Sequence, residues 1–389
     1  MKGEVVVDLW GGWKDKQSNP PIPWEEDTFC NVYSCTKAMA NLCVLLLIQR
    51  KHLDFDMKVS QVWPEFGQCG KENITVQQLL THQAGLNTLG EHRLTSEDLL
   101  EWTEYLQGKR DFHSLVNILE SSVPNWELNK GYFGYHPLSI GLFLSELVRR
   151  SDPKRRGIQA FWREEIAEPN DIKFYIGLPE DIDVSLARLE STATLEDGEI
   201  SSSAPILPSS TLPFPTKSTK VYSELPIPEN LQPNLPKIIS SSFTLVKRFS
   251  PWKTRFAELP SGIGFGNARA LSKAFCSLAC SSNESEYGNK IIDKETASKA
   301  LEKAVEGFDL TLLSHRVLCR AGYFLSENYP GAFYHSGNGG AIVWGDSENH
   351  LAMAYTPSHL LAASTHTNGT RAENLIRAVY YCLGKRNSL

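Results

Sequence analysis

Residues 36 to 50, TKAMANLCVLLLIQR, contain neither glycine nor proline and run apolar from Ala38 to Ile48 with Asn41 as the one break. Alanine, methionine, leucine and valine fill a face, so the stretch predicts a buried helix around which any fold of this chain has to build its core. Its longest uninterrupted apolar run, LCVLLLI, is far too short to span a bilayer. A chain of 389 residues supplies enough side chains for that core as one large domain or two small ones. With 41% hydrophobic and 22% charged residues the composition is that of a soluble globular protein. The net charge of −6 argues against nucleic acid as a partner, since phosphate binding needs a dominant positive field. The single basic run, RRSDPKRR (Arg149 to Arg156), reads as a solvated loop or helix end.

Eight cysteines are scattered without a CxxC pair or a zinc-like Cys/His spacing, and several sit inside apolar runs as small hydrophobes. This pattern, with an N-terminus that lacks the apolar core of a signal peptide, leads to the expectation of a reduced, cytoplasmic protein. A mitochondrial location is expected instead if a targeting segment precedes this chain.

Along the chain, GEVVVDLWGG reads as a strand entering a turn at Gly11-Gly12. ITVQQLLTHQAGL predicts a short helix from Val76 stopped by Gly85, and LSIGLFLSELVRR (Leu138 to Arg150) a second buried helix. Between Ser201 and Ser242 lie eight of the 21 prolines amid serine and threonine, a composition that cannot bury enough apolar surface to offset its ordering entropy. GAIVWGDSENHLAMAYTP predicts a β-hairpin and AENLIRAVYYCLG a closing amphipathic helix. These signals predict one domain over 1–389. Its sheet is expected from 1–65 and 258–389, a helical lobe from 66–195, and a mobile Pro/Ser excursion over 196–257.

Ser34 and Lys37 stand at the doorway of the first helix. Positions i and i+3 share a helix face, so the lysine amine can approach the serine hydroxyl. The first turn also lies in the positive field of the helix N-terminus, which favours a developing alkoxide. Serine needs a neighbouring base to become a nucleophile, and a desolvated lysine can serve. The plainer reading is a capping serine. Ser151/Lys154 and Ser250/Lys253 repeat the S-x-x-K spacing, but each contains a proline and neither opens a long apolar helix. A second group is Tyr132, Tyr135 and His136 in GYFGYHPLSIG, where a tyrosine of depressed pKa beside a cationic lysine could act as general base; an aromatic cluster at a helix entrance is the alternative. A third is YHSGNGGAIVWG, where His335, Ser336 and Gly337 precede glycines and a strand whose backbone N–H groups could act as oxyanion donors, against a simple glycine-rich strand entry.

Taken together, S-x-x-K, a tyrosine about a hundred residues on, and His-Ser-Gly on a late strand resemble the serine β-lactamase and penicillin-binding-protein superfamily. The chain is most similar to its class C-like branch, with the family VIII carboxylesterases and β-lactamase-related proteins. VVVDLWGGW, ITVQQLLTHQAGL, YHPLSIGLFLSELVRR, FWREEIAEPNDIKFYIGLPE and AELPSGIGFGNARALSKAF extend the resemblance over nearly the whole chain outside the Pro/Ser stretch. It implies an α+β fold, a mainly antiparallel sheet flanked by helices with a helical lobe and the site at their junction. It implies Ser34 as acylated nucleophile, Lys37 as its activating partner, Tyr135 as general base and His335 in the place of the third-motif lysine. Ser336, Gly337 and Asn338 would contact substrate, with the amides of Ser34 and Asn338 as the oxyanion hole. The implied reaction is two-step acyl transfer without metal or organic cofactor, on a small-molecule ester or amide.

Two departures stand out. Pro137 occupies the place of the class C asparagine, which turns the expectation from β-lactams towards esters. The chain also opens inside the first strand, so the closing helix is expected to lack a packing partner and a strand edge to be exposed. A non-catalytic scaffold of the same fold and a D-amino-acid-type peptidase are the rival readings. His82 is expected to hold the loop below the site, Cys35 to be packing, and Trp10, Trp13 and Trp344 to be core or pocket-wall aromatics.

Overall fold

A computed structural model describes residues 1–111, 114–180, 182–191, 230, 231, 235, 254–280, 291–360 and 371–384. The helix expected over 36–50 is α1 (Cys35–Gln49), and every residue from Cys35 to Ile48 is buried, not one face alone. Each leucine or isoleucine enclosed in this way contributes about 1.5–3 kcal/mol. The helix closes through the left-handed Lys51 and the His52 amide, which donates to the Leu47 carbonyl. Around α1 lie α2 (Val76–Leu80), α3 (Ser96–Leu106), α4 (Ser114–Ser121), α5 (Ser139–Ser151) and α6 (Ile158–Trp162). Thr75 and Thr95 start α2 and α3 with reciprocal capping boxes to Gln78 and Asp98.

The main sheet is a six-stranded antiparallel meander of β7 (Lys303–Asp309), β8 (Ser314–Cys319), β9 (Phe324–Leu325), β10 (Ala332–Ser336), β11 (Ile342–Asp346) and β12 (Leu351–Tyr355). Strand alternation divides its side chains. Phe333 and Val343 enter the large core with Phe275 of α7 (Ala268–Ala279), while Ala332, Ile342 and Trp344 face the other way. Helix α8 (Lys294–Leu301) leads into β7. The closing helix α9 (Arg371–Cys382) lays Ala372, Ile376 and Tyr380 on Ala332, Ile342 and Trp344, so it does have a packing partner, contrary to the sequence expectation.

A second correction concerns the sheet's origin. Residues 1–65 give the six-stranded sheet no strand: Trp13–Asp15 (β1) pairs only with Ile22–Pro23 (β2). No described strand pairs with Glu4–Gly11, and Val5, Val6, Val7, Leu9, Trp10 and Trp13 are exposed. Trp10 and Trp13 are therefore not core residues, whereas Trp344 is. The N-terminal end contributes instead through a three-stranded sheet in which Cys30–Asn31 (β3) and Tyr175–Ile176 (β4) flank Gly264–Gly266 (β6). Glu190–Ser191 (β5) runs parallel to His359–Leu360 (β13). Most of the Pro/Ser excursion lies outside the described residues; its Leu231 and Leu235 are buried with Trp126 and Leu310. Among the described residues no helix is long and apolar enough to cross a membrane.

Candidate active site

The pairing of β3 with β6 delivers Ser34 to the start of α1 and carries the 254–266 stretch beneath it. Contact is close enough that a Cβ on Gly264 would stand 2.2 Å from Thr36 Oγ1. Tyr33, just before Ser34, is held at φ 47°, its amide donating to Asn31 Oδ1 at 2.7 Å. Ser34 is the N-cap of α1 yet its side chain makes no capping hydrogen bond, and it is half-buried in an otherwise enclosed segment. The hydroxyl is thus available for something other than ending a helix.

Lys37 supplies the something. It is 2% exposed, with Nζ 3.2 Å from Ser34 Oγ, 2.7 Å from the Pro137 carbonyl and 2.7 Å from the Ser261 carbonyl. Burial holds its pKa well below the ordinary lysine value, and no carboxylate is among these contacts. A neutral amine has two N–H donors and one lone pair. In that form the two carbonyls would take the donors and the lone pair would face the Ser34 hydroxyl.

Tyr135 comes from the segment before α5. Lys37 Nζ sits 4.8 Å from its ring centre, and the phenol shares a hydrogen bond with Ser34. Here the structure reverses the expected direction: burial, with Cys35 and Asp309 nearby, pushes the Tyr135 pKa up, so the phenol keeps its proton at neutral pH. The depressed tyrosine required a cationic lysine, and burial disfavours the charged form of Lys37.

His82 and His136 fix the loops that carry this tyrosine. The His136 amide donates to His82 Nδ1 at 3.2 Å, and the Gly134 amide to the His82 carbonyl at 3.1 Å. His136 Nε2 accepts from the Leu86 amide at 2.8 Å, which assigns the ring proton to Nδ1, 2.7 Å from the Gly134 carbonyl. Burial lowers the His136 pKa to about 3, so this staple stays neutral. The His82 ring stands edge-on to Tyr135 at 4.9 Å, its own pKa lowered by burial.

His335 lies on the core-facing side of β10, 1% exposed, its ring 6.1 Å from that of Tyr135 and its Nδ1 2.9 Å from the Ser336 carbonyl. Cys35 is buried packing whose thiol donates to the His335 carbonyl. Gly337 brings the strand end against the nucleophile's loop: a Cβ there would stand 2.2 Å from the Val32 carbonyl. Asn338, half-buried, opens the short helical turn that follows, and neither its amide nor that of Ser34 donates to a group among the described residues. Ser34, Lys37 and Tyr135 are thus in mutual contact, with His335 beside the tyrosine and Ser336 to Asn338 continuing from the strand that abuts residue 32. Sequence reasoning missed the anchors of Lys37, because a main-chain carbonyl leaves no trace in residue identity. Among the described residues no group of histidine, cysteine, aspartate and glutamate could hold a metal ion.

The family model for beta-lactamases matches residues 1–378. The chain belongs to the beta-lactamase family. It is 27% identical over 390 residues to the esterase/beta-lactamase LipL of Mycobacterium tuberculosis, covering 95% of this chain and 77% of the relative. A family VIII carboxylesterase shares 26% identity at a TM-score of 0.72, over 98% of this chain and 90% of that one. A penicillin-binding-protein homologue from Caulobacter crescentus shares 28% at 0.73, over the same 98% and 90%. The beta-lactamase/transpeptidase-like fold and the class C-like branch with its carboxylesterases are as the sequence resemblance implied. This member of the family is a hydrolase of esterase/beta-lactamase type.

Proposed function

We propose that the protein hydrolyses a carboxylic ester of a small substrate through an acyl-Ser34 intermediate. The observation that carries this reading is the buried Lys37 amine, held by the Pro137 and Ser261 carbonyls within hydrogen-bond reach of Ser34 Oγ. Ser34 Oγ attacks the ester carbonyl while Lys37 Nζ accepts the hydroxyl proton. The amides of Ser34 and Asn338 receive the oxyanion. Tyr135, still protonated, gives its proton to the departing alkoxide and regains one from the lysine ammonium. Water then enters by the reverse path and frees the acid. His335 orients Tyr135, and Ser336, Gly337 and Asn338 flank the substrate.

Two further observations support esters over β-lactams. Pro137 provides no side-chain amide where the class C motif has one, and one of the similar structures is a family VIII carboxylesterase. The test is a fluorophosphonate probe with a short acyl ester as substrate. Wild-type protein is expected to label at Ser34 and turn the ester over, and Ser34→Ala to do neither. Clean absence of wild-type labelling would leave a scaffold of the same fold.

A further inference from the structure

A phenol that serves Ser34 must be held through its main chain as well as through its ring. Asp309 ends β7 and is 1% exposed. Its Oδ1 accepts the amides of Thr311 and Leu312, each at 2.8 Å, and so closes the turn that follows the strand. The amide of Tyr135, 174 residues earlier, donates to the same carboxylate, 3.0 Å from Oδ1 and 3.1 Å from Oδ2. The turn needs only one oxygen. Among the described residues Oδ2 is given to Tyr135 alone.

The surrounding backbone leaves little slack. Phe133 and Asp309 form a parallel bridge, and the Leu310 amide donates to the Phe133 carbonyl at 3.0 Å. A Cβ on Gly134 would stand 2.9 Å from Thr311 Oγ1 and 3.0 Å from the Trp126 ring. A fully buried carboxylate is costly to keep, and asparagine closes such a turn without a charge. The second oxygen, aimed at the Tyr135 amide, is what the aspartate adds.

We propose that Asp309 is a positioning residue for Tyr135, setting through the main chain where the phenol stands relative to Ser34 without touching the substrate. The inference rests on the hydrolase reading with Tyr135 as proton donor. It gives the far end of β7 a part in the reaction.

A double-mutant cycle on the full chain, with a short acyl ester, tests it. Asp309→Asn keeps Oδ1 for Thr311 and Leu312 and replaces Oδ2 by an NH₂ whose hydrogens meet the Tyr135 N–H, so the turn stays while the Tyr135 amide loses one of its two acceptors and is repelled from that side. It is expected to lower kcat about 10- to 100-fold with KM within about threefold. In a Tyr135→Phe background the same change is expected to alter kcat by less than about threefold, because the group being positioned is gone. Asp309→Glu, which keeps the charge one methylene further out, runs the same cycle should the asparagine variant fail to fold. An equal loss in both backgrounds, or wild-type kcat in Asp309→Asn, overturns the inference while the hydrolase reading stands. No wild-type turnover, or full activity in Tyr135→Phe, overturns that reading and the inference with it.

Discussion

Lys37 reaches the Ser34 hydroxyl at 3.2 Å because two main-chain carbonyls fix its amine, and burial depresses its pKa well below 10.5. A base must be unprotonated to act, so kcat/KM is expected to rise with pH through the lowered lysine pKa and level off below the ordinary lysine range. Tyr135 is shifted in the opposite direction, so the alkaline fall is expected only above the ordinary tyrosine range. Ester turnover measured from pH 5 to 10 checks the rise and the absence of an alkaline fall in that range; a single ascent near the free-lysine value would contradict the lowered lysine pKa. Lys37→Arg sharpens the point: arginine keeps donors for Pro137 and Ser261 but does not deprotonate. Its kcat is expected to fall at least about 10³-fold, a loss comparable to removing the base altogether.

At the scale of elements, what was legible in the sequence and what was not divide by mechanism. The buried helix expected over 36–50 lies at Cys35–Gln49, and the hairpin at 342–355 is present, because burial and strand alternation are written in side chains. The fate of Glu4–Gly11 was not legible, since pairing depends on which partner edge is within reach. The candidate site residues were legible as types, and Ser34, Lys37 and Tyr135 do lie together, while the direction of the tyrosine's shift was not legible, because it depends on how deeply the ring is enclosed. Gly337 shows how little room the junction of elements leaves. Its φ of −115° suits any residue, so the glycine is required by the 2.2 Å approach of the Val32 carbonyl and not by backbone strain. Gly337→Ala should part the end of β10 from the loop leading to Ser34. We expect kcat to fall about 100-fold, with the far-ultraviolet circular dichroism spectrum unchanged; wild-type kcat in this variant would mean the strand end plays no part in the site.

For the molecule as a whole, one contribution to the pH dependence of stability comes from Glu258, a fully buried carboxyl that joins the 254–266 stretch to the helical lobe. Its Oε1 accepts the Ile158 amide at 2.8 Å, and its own amide donates to Thr103 at 2.7 Å. Burial raises its pKa to about 7. A carboxyl with a raised folded pKa binds more protons folded than unfolded, so stability falls as pH rises from about 4.5 to 7 and stays lower above. Glu258→Gln keeps an acceptor for Ile158 and removes the titration. Its thermal midpoint is expected to exceed that of the wild type at pH 8 and to approach it near pH 5; the reverse order would mean the charge is stabilised in place. The placement of the reacting groups has a consequence for biogenesis. Residues 34, 137, 261 and 335 are spread over about 300 positions, so a ribosome displays the serine long before the last strand of the cleft has been translated. On a nascent polypeptide the hydroxyl therefore stands apart from its proposed partners, and the site can assemble only after residue 335 has been made.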